Sequence, residues 1–121
     1  MVAVTYADLH SLMHLNTTTL PAIATEDIID LAIDMLNLYS SAGITRMAGP
    51  PGAKTLTLTS EQRGAVMMIA RTIYLSFYKN IEPSSVGGVA VSPADVLAIP
   101  AMTRLLTLAA RKLTTKAFLR C

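Results

Sequence analysis

The segment from Ser60 to Lys79 constrains the fold more than any other part of the chain. Thr59 and Gln62 have the spacing of a capping box, which predicts a helix that begins at Ser60. The apolar side chains that follow occupy nearly its whole circumference: Val66, Met67, Met68, Ile69, Ile73, Tyr74, Leu75, Phe77 and Tyr78. Such a helix is buried on several sides. We therefore expect this helix at the centre of the domain or at the centre of an assembly.

Two helices are predicted before residue 45. The first covers about residues 6–15, with Thr5 as its N-cap. The second has Thr25 as its N-cap, with carboxylates in its first turn, and it ends near Ser41 because Gly43 is a typical residue beyond a helix end. Its apolar residues recur at intervals of three and four, which indicates an amphipathic helix.

The remaining segments complete a mainly α fold. Residues 44–58 contain two β-prone runs around a Gly-Pro-Pro-Gly sequence, which predicts a β-hairpin or extended arm between helices 2 and 3. The loop 81–92 ends at Ser92, the N-cap of the last helix, in which Pro100 predicts a kink or a break. The chain of 121 residues has the length of one domain, and we expect a small bundle of about four helices over residues 1–121. The arm and the loop are expected to dock on partners and to be mobile in the isolated protein.

Charge is sorted along the chain. The first 45 residues contain five acids and no Lys or Arg, and the residues after Asp95 contain five bases and no acid. A subunit that binds copies of itself head to tail gains a defined register from such segregation, because the acidic part of one copy can pair with the basic part of the next. This pattern predicts a heterologous contact that closes into a ring.

The predicted subunit interface follows from these charges and from the end of the third helix. On the acidic and basic sides it comprises Asp27, Asp30, Asp34, Arg104, Arg111 and Lys112. Phe77 and Tyr78 are added because they lie where the apolar third helix ends. This interface ranks above the alternatives for the basic helix, which are a solvated face and sequence-independent contact with DNA phosphates.

Composition excludes several classes of protein. Hydrophobic residues make up 52% of the chain and charged residues 15%, against a usual charged share of about 25%, so apolar side chains are expected on a partner-facing surface. No apolar stretch reaches the roughly 18 residues of a membrane span. The start of the chain does not resemble a secretory signal. The single cysteine, Cys121, allows no intrachain disulfide, and the net charge of +2 is too small to predict nucleic acid as the main partner.

No constellation predicts catalysis or a bound cofactor. The string from Gly49 to Thr55 resembles a phosphate loop, but it is one residue short, has Ala53 where a glycine is needed, and precedes a β-prone run rather than a helix. His10 and His14 have the spacing of two metal ligands on a helix, but a third ligand is missing. We therefore expect no enzyme, no metal and no cofactor.

The order of the elements resembles the head-to-tail connector adaptors of tailed phages and related archaeal viruses. The segments that carry the resemblance are Tyr6-Ala7-Asp8-Leu9, Ile28-Ile29-Asp30-Leu31-Ala32, Leu58-Thr59-Ser60-Glu61-Gln62 and Ser92-Pro93-Ala94-Asp95-Val96-Leu97. The resemblance implies a virion protein of the neck, assembled in the host cytoplasm, that forms a ring of 12 copies beneath the portal. It implies the portal protein and a tail or stopper protein as partners, and an extended DNA channel. The apolar run in the loop 81–92 has no counterpart in that family.

The resemblance also implies a role for the C-terminal tail, about residues 114–121, which inserts against the portal in such adaptors. The residues that would dock are Lys116, Phe118, Leu119 and Arg120. The alternative is that Phe118 folds back on its own domain. For the whole chain, the competing functions are a helix-turn-helix nucleic-acid-binding module and a small regulatory dimer.

Overall fold

A computed structural model describes residues 2–40, 43–79, 81 and 91–119, with the side chains of the last helix described up to Arg111. In chain order the elements are β1 (Val2–Val4), α1 (Tyr6–Met13), α2 (Ala22–Tyr39), β2 (Leu56–Leu58), α3 (Ser60–Phe77), α4 (Pro93–Leu97) and α5 (Met102–Leu119). The predicted mainly helical fold, with a small antiparallel two-stranded element, is confirmed.

The helix α3 is the element against which the others pack. It contacts α1, α2 and α5, and both strands lie beside it. Its inward side chains are buried: Ala65, Val66, Met67, Ile69, Ala70, Ile73 and Tyr74. Within one subunit α3 is not buried all round, because Met68 and Leu75 are 43% and 40% exposed. That α3 lies at the centre of an assembly stays a prediction. Within the described chain, α1, α2 and α5 cover only part of its circumference.

The helix starts depend on side-chain caps. The predicted capping box of α3 is confirmed, and α1 and α4 have the same arrangement at Thr5 and Ser92. The predicted start of α2 is wrong, since this helix begins three residues before Thr25, at Ala22. Thr25 is buried inside the first turn, where its hydroxyl donates to the carbonyl of Pro21 at 2.9 Å. The short hydroxyl side chain therefore bonds within α2 instead of capping it.

The two strands pair although they are distant in the sequence. β1 and β2 are antiparallel, with Val2 opposite Leu58 and Val4 opposite Leu56. The β-prone run that ends at Leu58 was predicted, but its partner at the start of the chain was not. The other β-prone run, residues 44–47, is not a strand.

The segment between α2 and β2 folds back onto the domain. Backbone hydrogen bonds between Ala48 and Thr55 close its turn, in which Gly49 and Gly52 have positive φ angles of 129° and 86°. Ile44 and Met47 are buried in the core. The apolar side chains of the segment, and its second β-prone run as β2, are therefore used within the chain. That the segment docks on a partner and is mobile in the isolated protein stays a prediction.

The last part of the chain breaks where proline predicted it. α4 ends at Leu97 and α5 begins at Met102, with Pro100 between them. Ala101 has a positive φ of 65°. α5 then packs on α2 and α3 through Met102, Leu106, Ala109 and Ala110. Of the loop 81–92, residues 82–90 lie outside the described residues.

Candidate functional site

A buried carboxylate on α2 holds the turn of the 44–55 segment. Glu26 is fully buried, with 0% exposure, and its two carboxylate oxygens accept hydrogen bonds of 2.8 Å from the backbone N–H groups of Gly52 and Lys54. Hydrogen bonds to an ionised group are stronger than those between neutral groups. This contact therefore fixes the turn against α2.

Three further polar residues of α2 continue the same row at intervals of four, four and three. Asp30 accepts a hydrogen bond of 3.0 Å from the N–H of Met47, and Asp34 forms an ion pair with Arg46. The side-chain amide of Asn37 bonds both the N–H and the carbonyl of Ile44, at 3.1 Å and 2.8 Å. We call Glu26, Asp30, Asp34 and Asn37 the α2 polar row. It satisfies backbone groups of a segment that has no regular secondary structure.

Because of the contacts of the α2 polar row, fewer acids of α2 are available to pair with a second subunit. Asp30 and Asp34, both predicted interface residues, already have partners in the chain, and Lys54 also lies 4.0 Å from Asp30. Burial raises the pKa of Asp30, and the hydrogen bond from Met47 and the charges of Lys54 and Arg46 oppose that rise. Asp27, in contrast, is exposed and makes no hydrogen bond or ion pair among the described residues. The interface roles of all three acids stay predictions. Of the three, only Asp27 has no hydrogen bond or ion pair with a described residue.

The bases also fall into those that form ion pairs within the chain and those that do not. Arg46, Lys54 and Arg63 pair with acids of α1 and α2; the third pair joins Arg63 to Asp8 at 2.9 Å. Three of the five acids in the first third of the chain, Asp8, Asp30 and Asp34, are thus paired with bases of the middle third. Within the described part of the chain, the cations of α5 have no such partners.

Two cations and a leucine form an exposed face on α5. Arg104, Leu108 and Arg111 follow one another at intervals of four and three, so they lie on the same side of the helix. All three are exposed, Leu108 by 50%, and neither arginine forms an ion pair with a described residue. We call these three residues the α5 basic face. Lys112, which was predicted to join them, belongs to the part of α5 whose side chains are outside the described residues.

The other predicted interface residues have different environments. Tyr78 is only 7% exposed and belongs to the core of its own domain. Burial, and to a smaller degree the charge of Asp27, raises the pKa of its hydroxyl. Phe77 is half-buried and packs against the same core. Their intersubunit role stays a prediction, but Tyr78 now has a structural role that is sufficient to explain it.

The predicted docking residues of the tail are only partly described. The backbone of α5 continues to Leu119, so Lys116, Phe118 and Leu119 are helical. Their side chains, and all of Arg120, lie outside the described residues. Portal docking by these four residues stays a prediction.

Residues of the phosphate-loop-like string and one of the two histidines form hydrogen bonds within the chain. In the phosphate-loop-like string, the N–H groups of Gly52 and Lys54 bind Glu26, and the strand β2 follows. His10 is buried, with Nε2 2.9 Å from the hydroxyl oxygen of Thr25, whereas His14 is exposed. Burial lowers the pKa of His10, and a hydrogen bond with the backbone of Leu20 partly opposes this. Within the described residues no group of three or more His, Cys, Asp or Glu side chains could hold a metal ion.

Sequence reasoning missed the role of Glu26 and the exposure of Leu108. The spacing of Glu26, Asp30, Asp34 and Asn37 along one side of α2 was a signal that this side binds something other than solvent. Leu108 had no such signal, because an apolar residue in a helix is more often buried.

Comparisons with known proteins add no relative. No protein family, no curated protein and no solved structure matches this chain. Across the described residues, none of the helices is both long and apolar enough to cross a membrane. The candidate functional site is therefore defined by geometry alone: the α5 basic face and, on α2, the exposed Asp27.

Proposed function

We propose that this protein is a structural subunit of a viral neck, which forms a ring beneath the portal and connects the capsid to the tail. The observation that carries the proposal is the charge that remains after internal pairing. On α5, Arg104 and Arg111 are exposed and have no partner among the described residues. On α2, Asp27 is likewise exposed and has no described partner. Opposite charges on two different helices of the subunit allow a heterologous contact between identical copies.

An apolar side chain accompanies the charge on each face. Ile23 precedes Asp27 by one turn on α2 and is 54% exposed, and Leu108 lies between the two arginines of α5. In the proposed contact Ile23 of one copy packs on Leu108 of the next, and Asp27 pairs with Arg104 or Arg111. Apolar burial supplies affinity and the ion pairs supply register.

The wider proposal concerns partners and location. It comprises a ring of 12 copies, the portal and a tail or stopper protein as neighbours, and assembly in the host cytoplasm. What supports it is the resemblance of the element order, together with an exposed basic face suited to an acidic protein surface or to genomic DNA in a channel.

The test is to purify the chain alone and together with the portal protein of the same genome, and to measure mass by native mass spectrometry and shape by electron microscopy. We expect closed rings of one stoichiometry, either free or seated on the portal. A chain that never exceeds a dimer and does not bind the portal would exclude the neck function.

The second candidate is a nucleic-acid-binding protein, and the unpaired arginines of the α5 basic face are the observation that favours it. Such a protein binds duplex DNA without its portal, and the affinity falls steeply with salt. An R104E/R111E variant then loses DNA binding and retains its mass. If the protein instead forms the proposed ring, the R104E/R111E variant should lose assembly, and its mass should fall to that of the single subunit.

A further inference from the structure

One side of α3 faces away from the domain. Gly64, Met68, Arg71 and Leu75 recur at intervals of four, three and four, so they lie along a single line on the helix. All four are exposed, and they span 11 residue steps, or about 16 Å at the rise of an α-helix. We call these four residues the α3 outer face.

Gly64 has no role that the described part of its own chain explains. Glycine in the interior of a helix is less favourable than alanine. Apart from its chain neighbours and the backbone of its own helix, a Cβ atom placed at position 64 would meet no atom within 4 Å, and the backbone there does not have the positive φ that favours glycine. Neither packing nor backbone conformation among the described residues requires this residue. Gly64 lies one turn before the exposed Met68, and a glycine at such a position leaves room for the close approach of another chain.

We propose that the α3 outer face binds the α3 outer face of a second copy, with the two helices antiparallel about a two-fold axis. An axis midway between Met68 and Arg71 places Gly64 opposite Leu75 of the second copy. The space left by the glycine then receives the leucine. Met68 lies opposite the aliphatic stem of Arg71 of the second copy, whose charged end reaches solvent. Because the contact is isologous, each pair occurs twice.

The antiparallel arrangement complements the face better than a parallel one does. Parallel helices in register would place Arg71 against Arg71 and Leu75 against Leu75, with two like charges in contact and the glycine space empty. In the antiparallel arrangement the acidic first turn, which contains Glu61, approaches the other copy near Lys79, which follows the end of the helix. Opposite charges therefore meet at both ends, which argues for a second copy as the occupant.

This contact is independent of the proposed ring. A two-fold contact pairs molecules and cannot by itself close a cyclic ring. The α3 outer face also shares no residue with Asp27 or the α5 basic face. Since the face is short, we expect a weak dimer whose population rises with concentration.

The first experiment is sedimentation velocity of the full chain between micromolar and near-millimolar concentration. In the Gly64→Leu variant a leucine at position 64 faces Leu75 of the second copy, and in the Leu75→Gly variant Gly64 faces another glycine. The first pair is overfilled and the second leaves a gap, so each substitution should weaken dimerisation at least about tenfold. The double exchange Gly64→Leu with Leu75→Gly restores one leucine opposite one glycine, and it should recover the dimer. Leu108→Ala, on the α5 basic face, is the control and should leave the dimer unchanged.

The second experiment is disulfide crosslinking, which identifies the residues in contact even when larger assemblies form. In a Cys121→Ser background, Gly64→Cys and Leu75→Cys together should give disulfide-linked dimers on mild oxidation, and mass spectrometry should identify a 64–75 linkage. An intrachain link is excluded, because the two positions are about 16 Å apart on one helix. Leu75→Cys alone should stay uncrosslinked. The proposal is overturned if 75–75 linkages predominate, or if the double exchange dimerises no better than the single variants.

Discussion

Glu26 accepts a hydrogen bond of 2.8 Å from the backbone N–H of Gly52, which lies 26 residues further along the chain. The other oxygen of the same carboxylate binds the N–H of Lys54. One buried side chain thus joins α2 to the turn that precedes β2. Backbone N–H groups in a glycine-rich turn often bind an external anion. Here the protein's own carboxylate occupies that position.

Glu26→Gln should lower the free energy of unfolding by about 1–3 kcal/mol, because the amide keeps one acceptor and directs an NH₂ group at a backbone N–H. Chemical denaturation measures the change. Asp27→Asn is the matched control, since Asp27 is the next residue, is exposed and makes no hydrogen bond among the described residues. Equal stability of the wild-type protein and the Glu26→Gln variant would show that the buried carboxylate does not hold the turn.

The same contact shows why part of the fold was predictable and part was not. Local signals located α1, α3 and α4, because a capping box is contained in four residues such as Thr59 to Gln62. The path of residues 44–55 depends on side chains of α2 that are distant in sequence. Composition alone therefore favoured a free arm, and the α2 polar row was not anticipated.

Burial was misjudged for the same reason. Met68 was expected in the core because its neighbours are apolar, yet it lies on the side of α3 that no described element covers. At the candidate site the charges of Asp27, Arg104 and Arg111 are visible in the sequence, but charge counts could not reveal that Asp30 and Asp34 are paired internally.

Ala101→Gly should raise the free energy of unfolding by up to about 1 kcal/mol. Ala101 has a φ of 65°, a left-handed conformation that disfavours residues with a Cβ, and the greater freedom of glycine in the unfolded chain offsets part of the gain. Ala98→Gly is the control: Ala98 is right-handed with a φ of −77°, so glycine there should destabilise. Destabilisation by both variants would contradict the strain at position 101.

Stability should fall when the pH drops below about the ordinary histidine pKa of 6.5. Burial lowers the pKa of His10 in the folded state, so below pH 6.5 the unfolded chain binds the proton more readily. This contribution is complete above the unfolded pKa and is lost as the pH falls towards the folded one. His10→Gln should reduce the difference in thermal midpoint between about pH 7.5 and about pH 5, and the exposed His14→Gln should not. An unchanged pH dependence in the His10→Gln variant would assign it to other groups.

Deletion of residues 114–121 should leave a folded protein, because the truncated α5 keeps its buried side chains Met102, Leu106, Ala109 and Ala110. Circular dichroism and the thermal midpoint test the fold. In the virus, the truncated chain should fail to join portal-bearing heads, so that filled heads accumulate without tails. Normally tailed particles would rule out docking through Lys116, Phe118, Leu119 and Arg120.

The central claim is that Asp27 of one copy meets the α5 basic face of the next. The most direct measurement is native mass spectrometry of three proteins: Asp27→Lys, the pair Arg104→Glu with Arg111→Glu, and all three substitutions together. None of these side chains has a described partner inside the chain, so each protein should fold. We expect the first two proteins to lose the ring formed by the wild type, because like charges then face each other, and the third to recover it in part. If the third protein assembles no better than the first two, the contact does not exist and the account is wrong.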